Sequence, residues 1–367
     1  MTLILISILA FAILGSYLAL IGIFGRGWKK IPYFLAEELT SSAKTVSVVV
    51  ACRNEEKNLP HLLWALHSQN INDFELILVN DHSTDRTAEI MQDATLHFEN
   101  IRIIQAQKQG KKAALREAIL AAKGNLIITT DADCIPAERW VETILAFQVK
   151  NDCDLIIAPV RMTENDTFFS KIESLEFSTL IASGAGAAGN GMPIMCNGAN
   201  LAFRRQSWLD AWPDINEDEM SGDDIFLLLS IKKRAGKIRF LKSEKAFVST
   251  KSAGNITAFF KQRQRWTAKS KSYNDLQIIA VALVVFLTSL MQIGLLASAF
   301  FMPGLWLSTA LYFLIKYLID TAFLLSVNNF FKIKNLPFRS FILSVFYPFY
   351  ISFTALSGLI KSPKNWK

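Results

Sequence analysis

The sequence predicts an α/β domain on a mostly parallel central sheet, flanked by transmembrane helices. Three observations carry this. Apolar, β-branched runs alternate with helical patterns through the middle of the chain. Apolar stretches long enough to cross a bilayer stand at both ends. The composition joins the two, because 51% hydrophobic against 19% charged residues in a chain of 367 is too apolar for a wholly soluble protein.

At the N-terminus, "LILISILAFAILGSYLALIGIF" (Leu3 to Phe24) is long enough for ~30 Å of hydrocarbon. A cleaved signal peptide would have a basic start, a shorter apolar core and a small-residue cleavage site, and this run has none of them. "RGWKK" follows, and the positive-inside rule puts that end in the cytoplasm. Toward the other end, Leu276 to Phe301 reads as a span and Leu305 to Val327 as another. The second carries Lys316 and Asp320 on one helix face, and that face must look at protein or a wet cavity. "NNFFKIKNLPFR" is basic and reads as cytoplasmic. Phe341 to Ile360 is a third apolar segment, interrupted by Pro348. If it spans, the Lys-rich tail "KSPKNWK" ends outside, against the charge rule, so an interfacial or re-entrant placement stays open. The expected organisation is a transmembrane helix over 1–25, a cytoplasmic domain over 26–275, and a membrane region over 276–367 with two or three hydrophobic segments.

The net charge of +7 suits anionic lipid or an anionic substrate. The basic residues follow the membrane edges rather than one stripe, which argues against a nucleic-acid partner. Cys52, Cys134, Cys153 and Cys196 show no CxxC spacing, so neither a zinc site nor a disulfide framework is expected.

Within the middle segment, "TVSVVVACRNEE", "FELILVNDHSTD" and "NLIITTDADC" each read as a buried strand running into polar residues. "NLPHLLWALHSQN" and "GKKAALREAILAAK" are the helices between them. Ligands of such sheets bind beyond the C-terminal ends of the strands. That edge would gather Arg53, Glu55, Asp81, Asp85, Asp131 and Asp133. "GAGAAGNGMP" (Gly184 to Pro193) reads as a small-residue loop and does not fit a dinucleotide fingerprint.

Each motif has a functional and a structural reading. Asp131 and Asp133 in "DAD" could hold a hard divalent cation or form a capping turn, and the acidic edge favours the cation. Asp81 could accept hydrogen bonds from a base or ribose, whereas Asp85 reads as a helix cap. Gly110 and Lys111 open a helix where an anion could sit, or begin a solvated basic face. Asp223 and Asp224 follow a glycine at a helix start. One suffices as a cap, leaving the other available as a general base. "CNGANLAFRR" places Gly198 and Asn200 in a small-residue stretch that a ligand could approach, or in a plain turn.

Taken in order, "VSVVVACRNEE", "VNDHSTD", "GKKAAL", "TTDADC", "NGANLAFRR", "GDDIFLLLSIKKRAG" and "QRQRW" resemble family 2 glycosyltransferases from about Thr45 to Trp266. The likeness is to the membrane-integrated branch with the Asp, DxD, Asp, QxxRW signature, which includes cellulose, chitin and hyaluronan synthases and ceramide glucosyltransferase. It implies a GT-A nucleotide-sugar-binding domain, in a bacterial inner membrane with the domain cytoplasmic. By position, Asp81 would bind the base, with Arg53 and Glu55 near it and Lys111 at the nucleotide end. Asp131 and Asp133 would hold Mg²⁺ or Mn²⁺ and the diphosphate. Asp224, beside Asp223, would be the base. Gln262, Arg265 and Trp266 would close over the diphosphate and shape the acceptor entrance, with Gly198 and Asn200 in the acceptor region.

The implied function is inverting transfer from a nucleotide-diphosphate sugar, UDP-linked on family grounds, to a lipid-linked or other membrane-associated acceptor. Two departures stand out: Asp223-Asp224 replaces the common Glu-Asp pair, and Arg116 stands where Asn is frequent. The alternatives are a processive polysaccharide synthase, against which the few spans count, and a non-catalytic scaffold, which predicts loss of carboxylates that are present.

Overall fold

A computed structural model describes residues 1–36, 45–215, 222–268 and 273–360. The tail "KSPKNWK" lies outside the described residues. In chain order the first elements are α1 (Thr2–Lys30), β1 (Val46–Cys52), α2 (Leu59–His67), β2 (Glu75–Asn80), α3 (Thr87–Ala94), β3 (Ile101–Gln105) and α4 (Lys111–Ala121). Then come β4 (Leu126–Thr129), β5 (Ile135–Pro136), α5 (Trp140–Asn151), β6 (Leu155–Ile157), β7 (Val160–Thr163), α6 (Phe168–Gly189), β8 (Leu201–Arg204) and α7 (Arg205–Ala211). The last are α8 (Asp223–Lys233), β9 (Ile238–Phe240), β10 (Val248–Lys251), α9 (Ile256–Ala268), α10 (Leu276–Phe301), α11 (Trp306–Phe331) and α12 (Leu336–Ile360).

The chain forms two units. An α/β unit comprises Ile31–Thr163 and Met195–Lys251. A helical unit comprises Met1–Lys30, Glu164–Ile194 and Ser252–Pro363. The division differs from the continuous 26–275 domain expected from the sequence, because α6 and α9 belong with the terminal helices.

In the α/β unit, the main sheet has the order β3-β2-β1-β4-β8-β6-β9. Strands β1 to β4 pair in parallel, with Val48 opposite Leu76 and Ile128. Every residue of β1 is buried, as its unbroken apolar run requires for a central strand covered on both faces. Strand β8 runs antiparallel to both β4 and β6, so the sheet is mixed at that end. A second sheet, β5-β10-β7, has three short strands. The parallel strands all end on one side, and the loops leaving β1, β2 and β4 form the edge on which the acidic residues collect.

In the helical unit, among the described residues, four helices are long and apolar enough to cross a membrane. The fourth, α12, runs continuously through Pro348 from Leu336. Lys316 is 2% exposed; its Nζ donates to Asp320 Oδ2 (2.6 Å), and Tyr17 of α1 donates to Asp320 Oδ1 (2.7 Å). That polar face of α11 therefore looks at protein.

The reading of Gly184 to Pro193 as a loop is corrected, since Gly184 to Gly189 form the last turns of α6. The small residues serve packing. A Cβ on Gly27 of α1 would lie 1.8 Å from the Gly186 carbonyl oxygen, and one on Gly186 would lie 2.3 Å from that of Phe24. Only glycine lets the two backbones touch.

Candidate active site

The site is built on the loops after β1, β2 and β4 and on the starts of α4 and α8. Asp81 follows β2 and is fully buried. Its Oδ1 accepts from the Gly110 N–H (2.9 Å), while its buried Oδ2 has no partner among the described residues. A buried carboxylate oxygen without a donor is costly, and an N–H of a bound base would satisfy it. Gly110 reaches Asp81 with φ +124°, a conformation that side chains resist, and so turns the chain into α4.

Arg53 stands in the neighbouring loop. With the Gln109 amide oxygen turned toward it, its guanidinium donates from Nη1 (3.2 Å) and Nη2 (2.5 Å). Glu55 is 5% exposed, its Oε2 accepts from Asn58 Nδ2 (2.7 Å), and its carbonyl accepts from the Asn58 and Leu59 N–H groups. These contacts shape the turn into α2. Asp85 accepts from the Thr87 N–H (3.0 Å) and the Glu56 N–H (3.1 Å), tying two loops together at the start of α3.

Lys111 is the first residue of α4, and its Nζ donates to Asp131 Oδ1 at 2.5 Å. Burial alone would lower its pKa, yet the charges of Asp131, Asp223 and Asp224 hold the ammonium above the ordinary lysine value. Lys111 thus ties the start of α4 to the "DAD" turn, with Asp223 and Asp224 adding to the negative field around it. Burial, with repulsion from Asp131, pushes the Asp133 carboxyl up.

Ligand atoms of Asp131, Asp133 and Cys134 lie within 4.8 Å of one another. Burial and both carboxylates push the Cys134 thiol well above its ordinary value, so it stays protonated at neutral pH. The donors left are hard carboxylate oxygens, which fit Mg²⁺ or Mn²⁺ and not a thiolate-seeking metal.

Gly222, at φ +97°, turns the chain into α8. Asp224 Oδ2 then accepts from the Gly198 N–H (3.1 Å), and Oδ1 accepts from its neighbour Ile225 N–H (2.8 Å). A Cβ added to Gly198 would lie 3.8 Å from both Asp223 Oδ2 and Asp224 Oδ2, so this backbone faces both carboxylates closely.

Asn200, expected in the acceptor region, lies inside the fold. It is fully buried; its Oδ1 accepts from Trp140 Nε1 (2.9 Å) and its Nδ2 donates to the carbonyls of Pro159 (2.7 Å) and Ala246 (2.8 Å). The amide is consumed inside the fold.

Gln262, Arg265 and Trp266 lie half-buried on α9, in the helical unit. The residue that sequence reasoning passed over is Arg263 between them, which is 5% exposed and pairs with Glu176 of α6. The signal available was a second Arg in "QRQRW", one helix step from the motif positions.

Residues 47–211 match the model of glycosyl transferase family 2. An undecaprenyl-phosphate 4-deoxy-4-formamido-L-arabinose transferase from Photorhabdus laumondii is 34% identical, over 39% of this chain and 45% of that protein. A beta-monoglucosyldiacylglycerol synthase from Nostoc sp. is 24% identical, over 64% of this chain and 51% of its own length. The chain thus spans about half the length of these curated relatives. A mannosyltransferase from Pyrobaculum calidifontis, solved with GDP-Man and Mn²⁺, superposes with a TM-score of 0.59 at 15% identity, over 96% of this chain and 99% of that one. Residues 47–211 thus match family 2 glycosyl transferases, and the fold is GT-A-like.

Proposed function

We propose that this protein is a membrane-bound, inverting glycosyltransferase. It moves a sugar from a nucleotide-diphosphate sugar, UDP-linked, to a lipid-linked acceptor at the cytoplasmic face of the membrane. The observation that carries the reading is the pairing of Lys111 with Asp131 beyond the end of β4, in the field of Asp223 and Asp224.

In this reading, Asp224 accepts the proton of an acceptor hydroxyl, held in place by the N–H groups of Gly198 and Ile225. The acceptor oxygen bonds to the anomeric carbon from the face opposite the leaving group. The bond from that carbon to the phosphate oxygen breaks, and the configuration inverts. Lys111 stabilises the charge that develops on the departing diphosphate. A divalent ion held by Asp131 and Asp133 would supply further neutralisation there. Asp81 accepts from the base. Gln262, Arg265 and Trp266 keep the substrate-contacting role their motif implies.

The relatives named above act, by name, with an undecaprenyl phosphate and in making a glucosyldiacylglycerol, which supports a lipid acceptor. A base serves an acceptor hydroxyl, because an acceptor phosphate is already ionised near neutral pH. The test uses membranes containing the full chain, radiolabelled UDP-sugars and Mn²⁺, with products partitioned between organic solvent and water. Short organic-soluble product is expected. Long water-phase chains would overturn the lipid reading in favour of processive synthesis.

A further inference from the structure

We propose that Arg263 is a positioning residue that sets the orientation of Gln262 and Trp266. The proposal rests on the reading in which those two side chains contact substrate. Arg263 is 5% exposed, and its guanidinium sits in a closed set of contacts within the helical unit. Nη2 donates to Glu176 Oε2 of α6. The other oxygen of Glu176 accepts from the Tyr350 hydroxyl of α12 (2.6 Å). Nη1 donates to Gln262 Oε1 (2.9 Å). The guanidinium carbon Cζ lies over two rings, 4.7 Å from the centroid of Phe259 and 4.3 Å from that of Trp266. Trp266 also meets Phe177 of α6, with centroids 6.4 Å apart.

One side chain thus fixes two of the three QxxRW residues, Gln262 by a hydrogen bond and Trp266 by its face. Both are held to the same anchor, Glu176. Stability alone is a poor account of this arrangement. A buried ion pair returns little net stability over apolar packing, and Arg263 Nε has no acceptor among the described residues. Its planar fork, by contrast, serves orientation: two parallel directions of hydrogen bonding and a flat face for stacking. Lysine offers a point charge and neither of these.

The test uses full-length protein in detergent, labelled with fluorotryptophan, with the Trp266 resonance assigned from Trp266→Phe. Arg263→Lys keeps the charge opposite Glu176, and Tyr350→Phe removes one hydrogen bond, so both variants avoid an unpaired buried carboxylate. In each, the Trp266 fluorine resonance is expected to shift or broaden while those of the tryptophans outside this cluster stay in place. An unmoved Trp266 resonance in Arg263→Lys overturns the proposal, whatever the activity.

Kinetics supply the second arm. Arg263→Lys is expected to lower kcat/KM by roughly tenfold or more, without a matching loss of thermal midpoint. On a Gln262→Ala, Trp266→Phe background, the same change should cost less than about twofold. Losses that multiply across the two backgrounds would mean that Arg263 acts independently of both, and would overturn the proposal. Absence of transfer in the wild-type protein would count against the glycosyltransferase reading, and the fluorine arm would still decide the orientation.

Discussion

Lys111 Nζ donates to Asp131 Oδ1 at 2.5 Å, so the first residue of α4 is tied to the turn beyond β4. This ammonium neutralises a carboxylate, and in the proposed reading it also meets the diphosphate of a bound nucleotide. Lys111→Met should weaken UDP binding by roughly ten- to a hundredfold, the scale of one charge-assisted hydrogen bond. Titration calorimetry with and without Mn²⁺ reads this directly. Unchanged affinity in both conditions would remove Lys111 from the nucleotide end.

Asp224→Asn keeps the shape and one acceptor oxygen for the Gly198 N–H but cannot take a proton. Turnover should fall by about 10²–10⁴-fold, the usual range for losing a general base, with UDP affinity unchanged. Asp223→Asn should cost less, since its part in this reading is the field around Lys111. Retained turnover in Asp224→Asn would sink the base assignment and point to an acceptor that arrives already ionised.

Glu142 offers a pH test in the α/β unit. Arg139 grips it from Nε (2.6 Å) and Nη2 (3.0 Å), and Asn70 donates to the same carboxylate (2.7 Å). Arg139 holds the Glu142 carboxyl below its usual range, and Asn70 adds to this. A folded-state pKa below the unfolded one means stability that is present above the unfolded value, about 4.3, and lost as pH falls through the folded value. Glu142→Gln should therefore cost about 1–2 kcal/mol at pH 7, and the gap should close below about pH 4. Chemical denaturation across that range checks it. A gap that persists in acid would mean that shape, not charge, carries the contribution.

Close packing of α1 on α6 predicts a steep glycine dependence. Gly27→Ala drives a methyl into the Gly186 carbonyl, so it should cost at least about 1–3 kcal/mol by overpacking and lower the thermal midpoint in detergent. Gly15→Ala is the control: nothing lies within 4 Å of its added Cβ. Equal behaviour of the two variants would contradict the backbone contact.

Patterns that a short window of residues can hold were determined by the sequence. The runs "VSVVV", "ELILV" and "LIIT" are apolar throughout, and a run without helical period can be buried on both faces only as a central strand, which is what β1, β2 and β4 are. The carboxylates of Asp81, Asp131 and Asp224 were legible for the same reason, each standing at the end of a strand or the start of a helix that local pattern defines. Length and apolarity likewise marked the long terminal helices.

What depends on distant partners was decided only by the tertiary structure. Gly184, Gly186 and Gly189 each weaken a helix, and Gly186 is kept within one because α1 supplies a backbone to pack against. Glu55 and Asn200 look like ligand groups in one dimension, but Asn58 donates to one carboxylate oxygen of Glu55, and Trp140, Pro159 and Ala246 use up the hydrogen bonds of the Asn200 amide. Arg263 is, along the chain, one more cation in a basic stretch, and only Glu176 and Tyr350, far away in the chain, give it buried partners. A polar side chain is a ligand group or a structural one according to whether the fold satisfies it, and that is settled by neighbours that no local window contains.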